Sequence, residues 1–156
     1  MKRVFAVLLC VAIPFVMFAA DTQNGYNVAY DGGSLSQKAG ASVKLYVDNK
    51  NVRLFKDKTE IATIPVSSIT EISYGQDVHR RVGAAIGLAF VSFGIGGLMA
   101  LTKSKKHYVG LTWANGDEKG GFAMQCDKNE YRGILQALEG VSGKKAVNSD
   151  AMTVKN

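Results

Sequence analysis

Cysteine is almost missing from this chain of 156 residues, which has only Cys10 and Cys126. Cys10 lies in an apolar N-terminal stretch, so Cys126 is alone in the body, and a lone thiol cannot close an intramolecular disulfide. Stability must therefore come from a buried core. Also absent are paired metal-binding cysteines, a His-Glu-x-x-His helix and a Gly-x-Ser-x-Gly nucleophile elbow. The stretch Gly140 to Lys145 contains a Gly-Lys step, but it lacks the earlier glycine and the following Ser or Thr of a phosphate loop, and it reads as a helix end. His79 and His107 have no carboxylate cluster near them in sequence, which favours surface histidines over a metal pair. Cys126 has no basic partner in its motif and reads as a structural thiol. Nothing here positions an acid, base and nucleophile together, so neither catalysis nor a cofactor or metal is expected.

An excess of one charge is lacking too. Lys and Arg total 19 against 13 acidic residues, and setting aside Lys2 and Arg3 lowers the formal charge from +6 to +4. A nucleic-acid module clusters more cations on one element, so no nucleic-acid partner is expected.

What is present begins with a basic, apolar, small-residue order. Lys2 and Arg3 precede an apolar stretch from Val4 to Phe18, then Ala19 and Ala20, and residues 1–20 read as an export signal. A cut after Ala20 puts Phe18 where a small residue is expected, which leaves an uncleaved N-terminal anchor as a second reading. Leu9 stands before Cys10 where a lipoprotein signal needs a small residue, so lipidation there is rejected. The body is expected to be exported to the periplasm or cell envelope.

Past the signal, apolar residues alternate in short runs, the period-two pattern of half-buried strands. Strands are expected at Tyr26–Tyr30, around Val43, Leu45 and Val47, at Val52–Lys56, Glu60–Pro65 and Ile69–Tyr74, and at 106–114 and 119–126. Lys44 and Tyr46 fall on the opposite face from Val43, Leu45 and Val47. Asp31-Gly32-Gly33 reads as a turn. Asn115-Gly116 tolerates positive φ at both positions and predicts a tight hairpin. Asp127 with Glu130 three residues on has capping-box spacing, followed by Tyr131, Ile134, Leu135 and Leu138 at helical intervals and Gly140 at the helix end. Residues 144–156 are polar without an apolar period and read as a flexible tail. The body is thus mainly β (α+β): about seven strands and one C-terminal helix. The aromatics Tyr108, Trp113 and Phe122 at strand spacing read as core.

One segment breaks this pattern. Residues 82–102 (VGAAIGLAFVSFGIGGLMALT) form a run of 21 without charge or proline. Arg80 and Arg81 precede it, and Lys103, Lys105 and Lys106 follow, cations placed where anionic lipid headgroups would lie. A single spanning helix would separate the strands on either side of the membrane and cut the domain in two. Two readings remain. In one, the run doubles back near Ser92-Phe93-Gly94 as two short helices that dip into one leaflet, with Phe90, Phe93 and Leu98 among the inserted side chains. In the other, it is a buried or self-associating glycine-rich helix packed against the sheet, with the flanking Arg and Lys solubilising its ends. Gly83 and Gly87, and then Ser92, Gly96 and Ala100, recur at four-residue intervals, a spacing of small residues that lets helices approach closely within the hairpin or between copies.

The stretch SVKLYVDNKNVRLFKDKTEIATIPVSSITEIS, residues 42–73, resembles the bacterial pleckstrin-homology-like (PH-like) domains. They share the order of strand, tight turn, strand ending in an aromatic, and an I-P-x-x-x-I step into the next strand, carried here by Ile64, Pro65, Ile69 and Ile72. The resemblance covers most of residues 26–140 and implies seven antiparallel strands in a barrel or two nearly orthogonal sheets, capped by a C-terminal helix. It also implies binding of lipid or peptide, while the apolar insert departs from the family pattern. The expected function is a non-catalytic, membrane-associated binding or scaffold module contacting lipid or an envelope protein partner. The alternative is a self-assembling homo-oligomer or pore.

Overall fold

The computed structural model describes residues 25–87 and 106–150. Eight strands form one continuous sheet: β1 (Tyr26–Gly33), β2 (Ala41–Val47), β3 (Asn51–Lys56), β4 (Thr59–Pro65), β5 (Ile69–Tyr74), β6 (His107–Asn115), β7 (Glu118–Cys126) and β8 (Val147–Asn148). Their order across the sheet is β4-β3-β2-β1-β7-β6-β5-β8, antiparallel throughout except for the parallel β5–β8 pair. Among the described residues two α-helices complete it, α1 (Val78–Ile86) and α2 (Tyr131–Ser142).

The alternation read from the sequence sets the sides of the sheet. Val28, Val43, Leu45, Val52, Leu54, Ile64, Ile72, Val109, Leu111, Phe122 and Met124 point inward and are nearly inaccessible to water. Strands β1 to β7 all feed this one core, so the sheet curls around it, and α2 closes the open side with Ile134 and Leu138, touching β2, β5 and β6. Ile69 and Ile72, three residues apart, both face inward because the pairing with β6 shifts between Ile69 and Glu71, as a bulge allows.

Several expected boundaries move, each for a physical reason. The described residues add an eighth strand to the seven between residues 26 and 126, because Val147–Asn148, inside the segment expected as a loose tail, pairs with Ser73 and Tyr74. Asp31-Gly32-Gly33 is not a turn but continues β1 across a bulge, and Gly33 lies so near β7 that a Cβ there would sit 2.3 Å from the Gly121 carbonyl. The 115–118 hairpin is tight as expected, but Asn115 pairs with Glu118, and only Gly116 has positive φ, at 62°. Positive φ at two successive residues occurs instead in the β3–β4 hairpin, at Asp57 and Lys58, the condition for a type I′ turn.

The C-terminal helix starts later than the capping box predicts. The Asp127 carboxylate accepts from the Asn129 amide at 2.8 Å, and the Asp127 carbonyl accepts from Glu130 and Tyr131. This local turn consumes the expected cap oxygen, and α2 begins at Tyr131. It runs through Gly140 and ends at Gly143, whose φ of 67° is the left-handed stop, a geometry glycine adopts without strain.

Candidate functional site

The apolar run begins inside α1. Val78, Val82 and Ile86 follow each other at four-residue steps, and Val78 and Val82 are fully buried against Tyr108 and Ala123 on the outer face of β6 and β7. Small residues make this close seat. A Cβ on Gly110 would lie 2.6 Å from Val78 Cγ1 and 2.7 Å from Val82 Cγ2, and one on Gly121 would lie 3.1 Å from Ile86 Cγ2. The helix stops at Gly87, where φ is 68°.

Two polar side-chain contacts hold α1 from opposite sides. Successive odd positions on a helix diverge by about 200°, twice the 100° step of 3.6 residues per turn, so His79 and Arg81 reach toward different strands. His79 Nε2 lies 2.6 Å from Asp31 Oδ2 on β1, with the imidazole edge-on to Tyr108 at 5.1 Å. The Arg81 guanidinium donates to Glu71 on β5 through Nε at 2.6 Å and Nη2 at 2.9 Å. Hydrogen bonding to Glu71 raises the Arg81 pKa above its already high value. Burial raises that of Tyr108, with the charge of Asp31 adding to it.

The two ends of the β5–β6 connection are joined at one corner. Tyr74 pairs with Val109, the Gly75 amide donates to the Tyr108 carbonyl at 3.2 Å, and the Gln76 side-chain amide donates to the Lys106 carbonyl at 2.6 Å. Of the five cations singled out in the sequence, Arg80 is exposed on α1, Arg81 is engaged by Glu71, and Lys106 is half-buried at the corner. Lys103 and Lys105 lie outside the described residues. Of the insert residues, Gly83 is buried in α1 and Gly87 terminates it. Phe90, Phe93, Gly96 and Leu98 also lie outside the described residues. The expected start of the insert therefore moves: residues 82–86 belong to a helix packed on the sheet.

The histidines are separated in role. His107 stacks face to face on Tyr131, with centroids 4.1 Å apart and planes 3° apart, fastening the start of β6 to the start of α2. Among the described residues, no group of three His, Cys, Asp or Glu side chains could hold a metal ion. Cys126 is buried, and that burial pushes its thiol from 9.0 up to about 12, so it stays protonated and poorly nucleophilic at neutral pH.

A second surface was not singled out in the sequence. On the outer face of β1 to β3, away from the seat of α1 on β6 and β7, a groove of about 500 Å³ is lined by residues that include Asn27, Lys44, Tyr46, Arg53, Phe55 and Lys58. Tyr46 and Phe55 meet edge to face at 5.4 Å, and the Arg53 guanidinium lies 5.8 Å from the Phe55 ring centre. The signal was the alternation itself, which put Tyr46 on the solvent face, where an aromatic has less core to fill.

Neither protein-family models nor curated proteins give a match to this chain. Among solved structures, the chain is similar to the solution structure of the C-terminal phosphotyrosine interaction domain of mouse APBB2. The TM-score is 0.50 at 12% sequence identity, covering 78% of this chain and 86% of that one. At that identity the likeness is one of fold, and it supports a PH-like architecture for the strands and the C-terminal helix.

Proposed function

We propose that the protein is an exported, non-catalytic binding module that uses a PH-like scaffold at a membrane surface, where it contacts anionic headgroups or a partner protein. The fold likeness supports the scaffold, and the contact with lipid is argued from the chain's own topology. The observation that carries it is the pairing of β5 with β6. Because these strands are hydrogen-bonded neighbours, residues 75–106 form an excursion whose two ends meet at one corner, beside the exposed Arg80.

Residues 82–87 are spent on α1 and its stop, so the charge-free run that follows is Leu88–Thr102, 15 residues. That is short of the about 20 needed to span the hydrocarbon core. No helix among the described residues is long and apolar enough to cross a membrane. A short apolar run with both ends at one corner suits dipping into one leaflet better than crossing it. The flanking cations Arg80, Lys103, Lys105 and Lys106 would then meet headgroup phosphates, each worth about 1 kcal/mol at an anionic surface.

Co-sedimentation with vesicles tests this. Wild-type protein should bind vesicles containing phosphatidylglycerol more tightly than pure phosphatidylcholine vesicles. Combined Arg80→Gln, Lys103→Gln, Lys105→Gln and Lys106→Gln substitution should weaken binding by at least about tenfold and flatten its salt dependence. Arg81 is left in place because it secures α1. Partitioning that the four substitutions leave unchanged contradicts the proposal.

A further inference from the structure

The corner between β5 and α1 carries a second feature, built from the far end of the chain. Val147 and Asn148 run parallel to β5 opposite Ser73 and Tyr74. A two-residue strand is too short to be held by ladder bonds alone. The next two residues supply the rest. The Ser149 amide and hydroxyl both donate to the Tyr74 carbonyl, at 2.8 and 2.9 Å, and Ser149 is only 3% exposed. The Asp150 carboxylate accepts from the amides of Gln76, at 2.6 Å, and Asp77, at 3.3 Å, the two residues that lead into α1. Asp150 itself is steadied by its amide, which donates to the Asn148 side chain at 2.9 Å.

Gly75 makes room for this segment. Its φ is 123°, and a Cβ there would stand 2.5 Å from Ser149 Oγ and 2.6 Å from Asp150 Oδ1. The approach is also directed, since the Glu139 carboxylate at the end of α2 accepts from the Ala146 amide at 2.7 Å. The corner therefore offers one carbonyl to a hydroxyl, two amides to a carboxylate, and a vacant side-chain position between them.

We infer that this corner is a recognition site for an extended segment carrying a Ser-Asp pair, filled in cis by residues 147–150, and that its occupancy holds the entry of α1 and so keeps the helix on the sheet. The inference stands apart from the membrane reading, since each contact in it lies within the described residues. A carboxylate that accepts amides at a helix entry stabilises that turn through hydrogen bonding and the helix dipole. The segment is held by hydrogen bonds at the sheet edge, and Asp150 is exposed, so release can occur locally without opening the core.

Hydrogen exchange on the full-length chain tests it. In Asp150→Ala, a substitution at an exposed position, the amides of residues 76–82 should exchange about fivefold faster or more, the size expected for a lost cap, while those of β2 and β3 keep wild-type protection. Asp150→Asn, which retains an accepting oxygen, should keep most of the protection. In the double variant Ser149→Ala, Asp150→Ala, a synthetic peptide of residues 144–156 added in trans should restore it, and the same peptide with both substitutions should not. Wild-type exchange at 76–82 in the double variant overturns the inference. So does loosening spread evenly over every strand, failure of the unsubstituted peptide to restore protection, or equal losses for Asn and Ala.

Discussion

Arg80 and Arg81 are adjacent and chemically alike, yet the fold gives them different work. Arg81 points along the sheet to Glu71, and Arg80 points to solvent. Sequence shows that both are cations but not which one faces the sheet, because that depends on where the helix begins. Cys126 was more legible. Closing β7 with its side chain in the core, it is buried as a structural thiol, and burial sets a pH dependence. Its pKa in the folded chain, about 12, is above its ordinary 9.0, so the folded state holds the thiol proton more tightly than the unfolded state does. The resulting stabilisation is complete below pH 9 and declines as pH rises toward 12. Tyr30, raised from 10.0 to about 12 by burial, adds to the same decline. Urea unfolding of wild type and Cys126→Ala should therefore show a stability gap that is constant from pH 7 to about 9 and narrows by pH 11. A gap unchanged through pH 11 contradicts a buried neutral thiol.

Among elements, β2 and β3 were readable because inward and outward residues alternate and Asn or Asp-Lys turns bound them, while β6 and β7, buried on both faces at 108–112 and 120–124, were readable through the Asn115-Gly116 turn between them. α1 was hidden. Its Val78, Val82, Ile86 stripe is present in the sequence, but Arg80 and Arg81 look like the flank of an apolar run when charge is read before periodicity. β8 has no local signal, since two residues show no period and its partner strand is more than 70 residues away. The seat of α1 is set by glycines that the strand pattern leaves unexplained. Gly110→Ala would bring a Cβ within 2.7 Å of Val78 and Val82 and should cost about 1–3 kcal/mol through overpacking. Gly140→Ala, inside α2 with open space around a new Cβ, should instead stabilise by about 0.5–1 kcal/mol. Denaturant titrations of the two variants check both signs, and a neutral Gly110→Ala contradicts the close seat of α1 on β6.

For the whole molecule, a simple spanning helix conflicts with the sequence alone, because the hairpin and helix that follow the apolar run are too small to bury a core by themselves. The register of β5 on β6 gives that argument a geometry, with both ends of the excursion at one corner of one sheet. The groove over Lys44, Tyr46, Arg53 and Phe55 was not legible, since it needs three strands in register before its side chains converge.

A one-leaflet excursion requires the two flanks of the apolar run to share one side of any membrane. The direct measurement is labelling of single added cysteines, Asn49→Cys in the β2–β3 turn and Asp117→Cys in the β6–β7 turn, with a membrane-impermeant maleimide on protein reconstituted into sealed vesicles. Both positions are exposed. The account predicts that the two sites label to the same extent before the vesicles are opened with detergent. Labelling of one and protection of the other would place the two halves of the sheet in different compartments and contradict it.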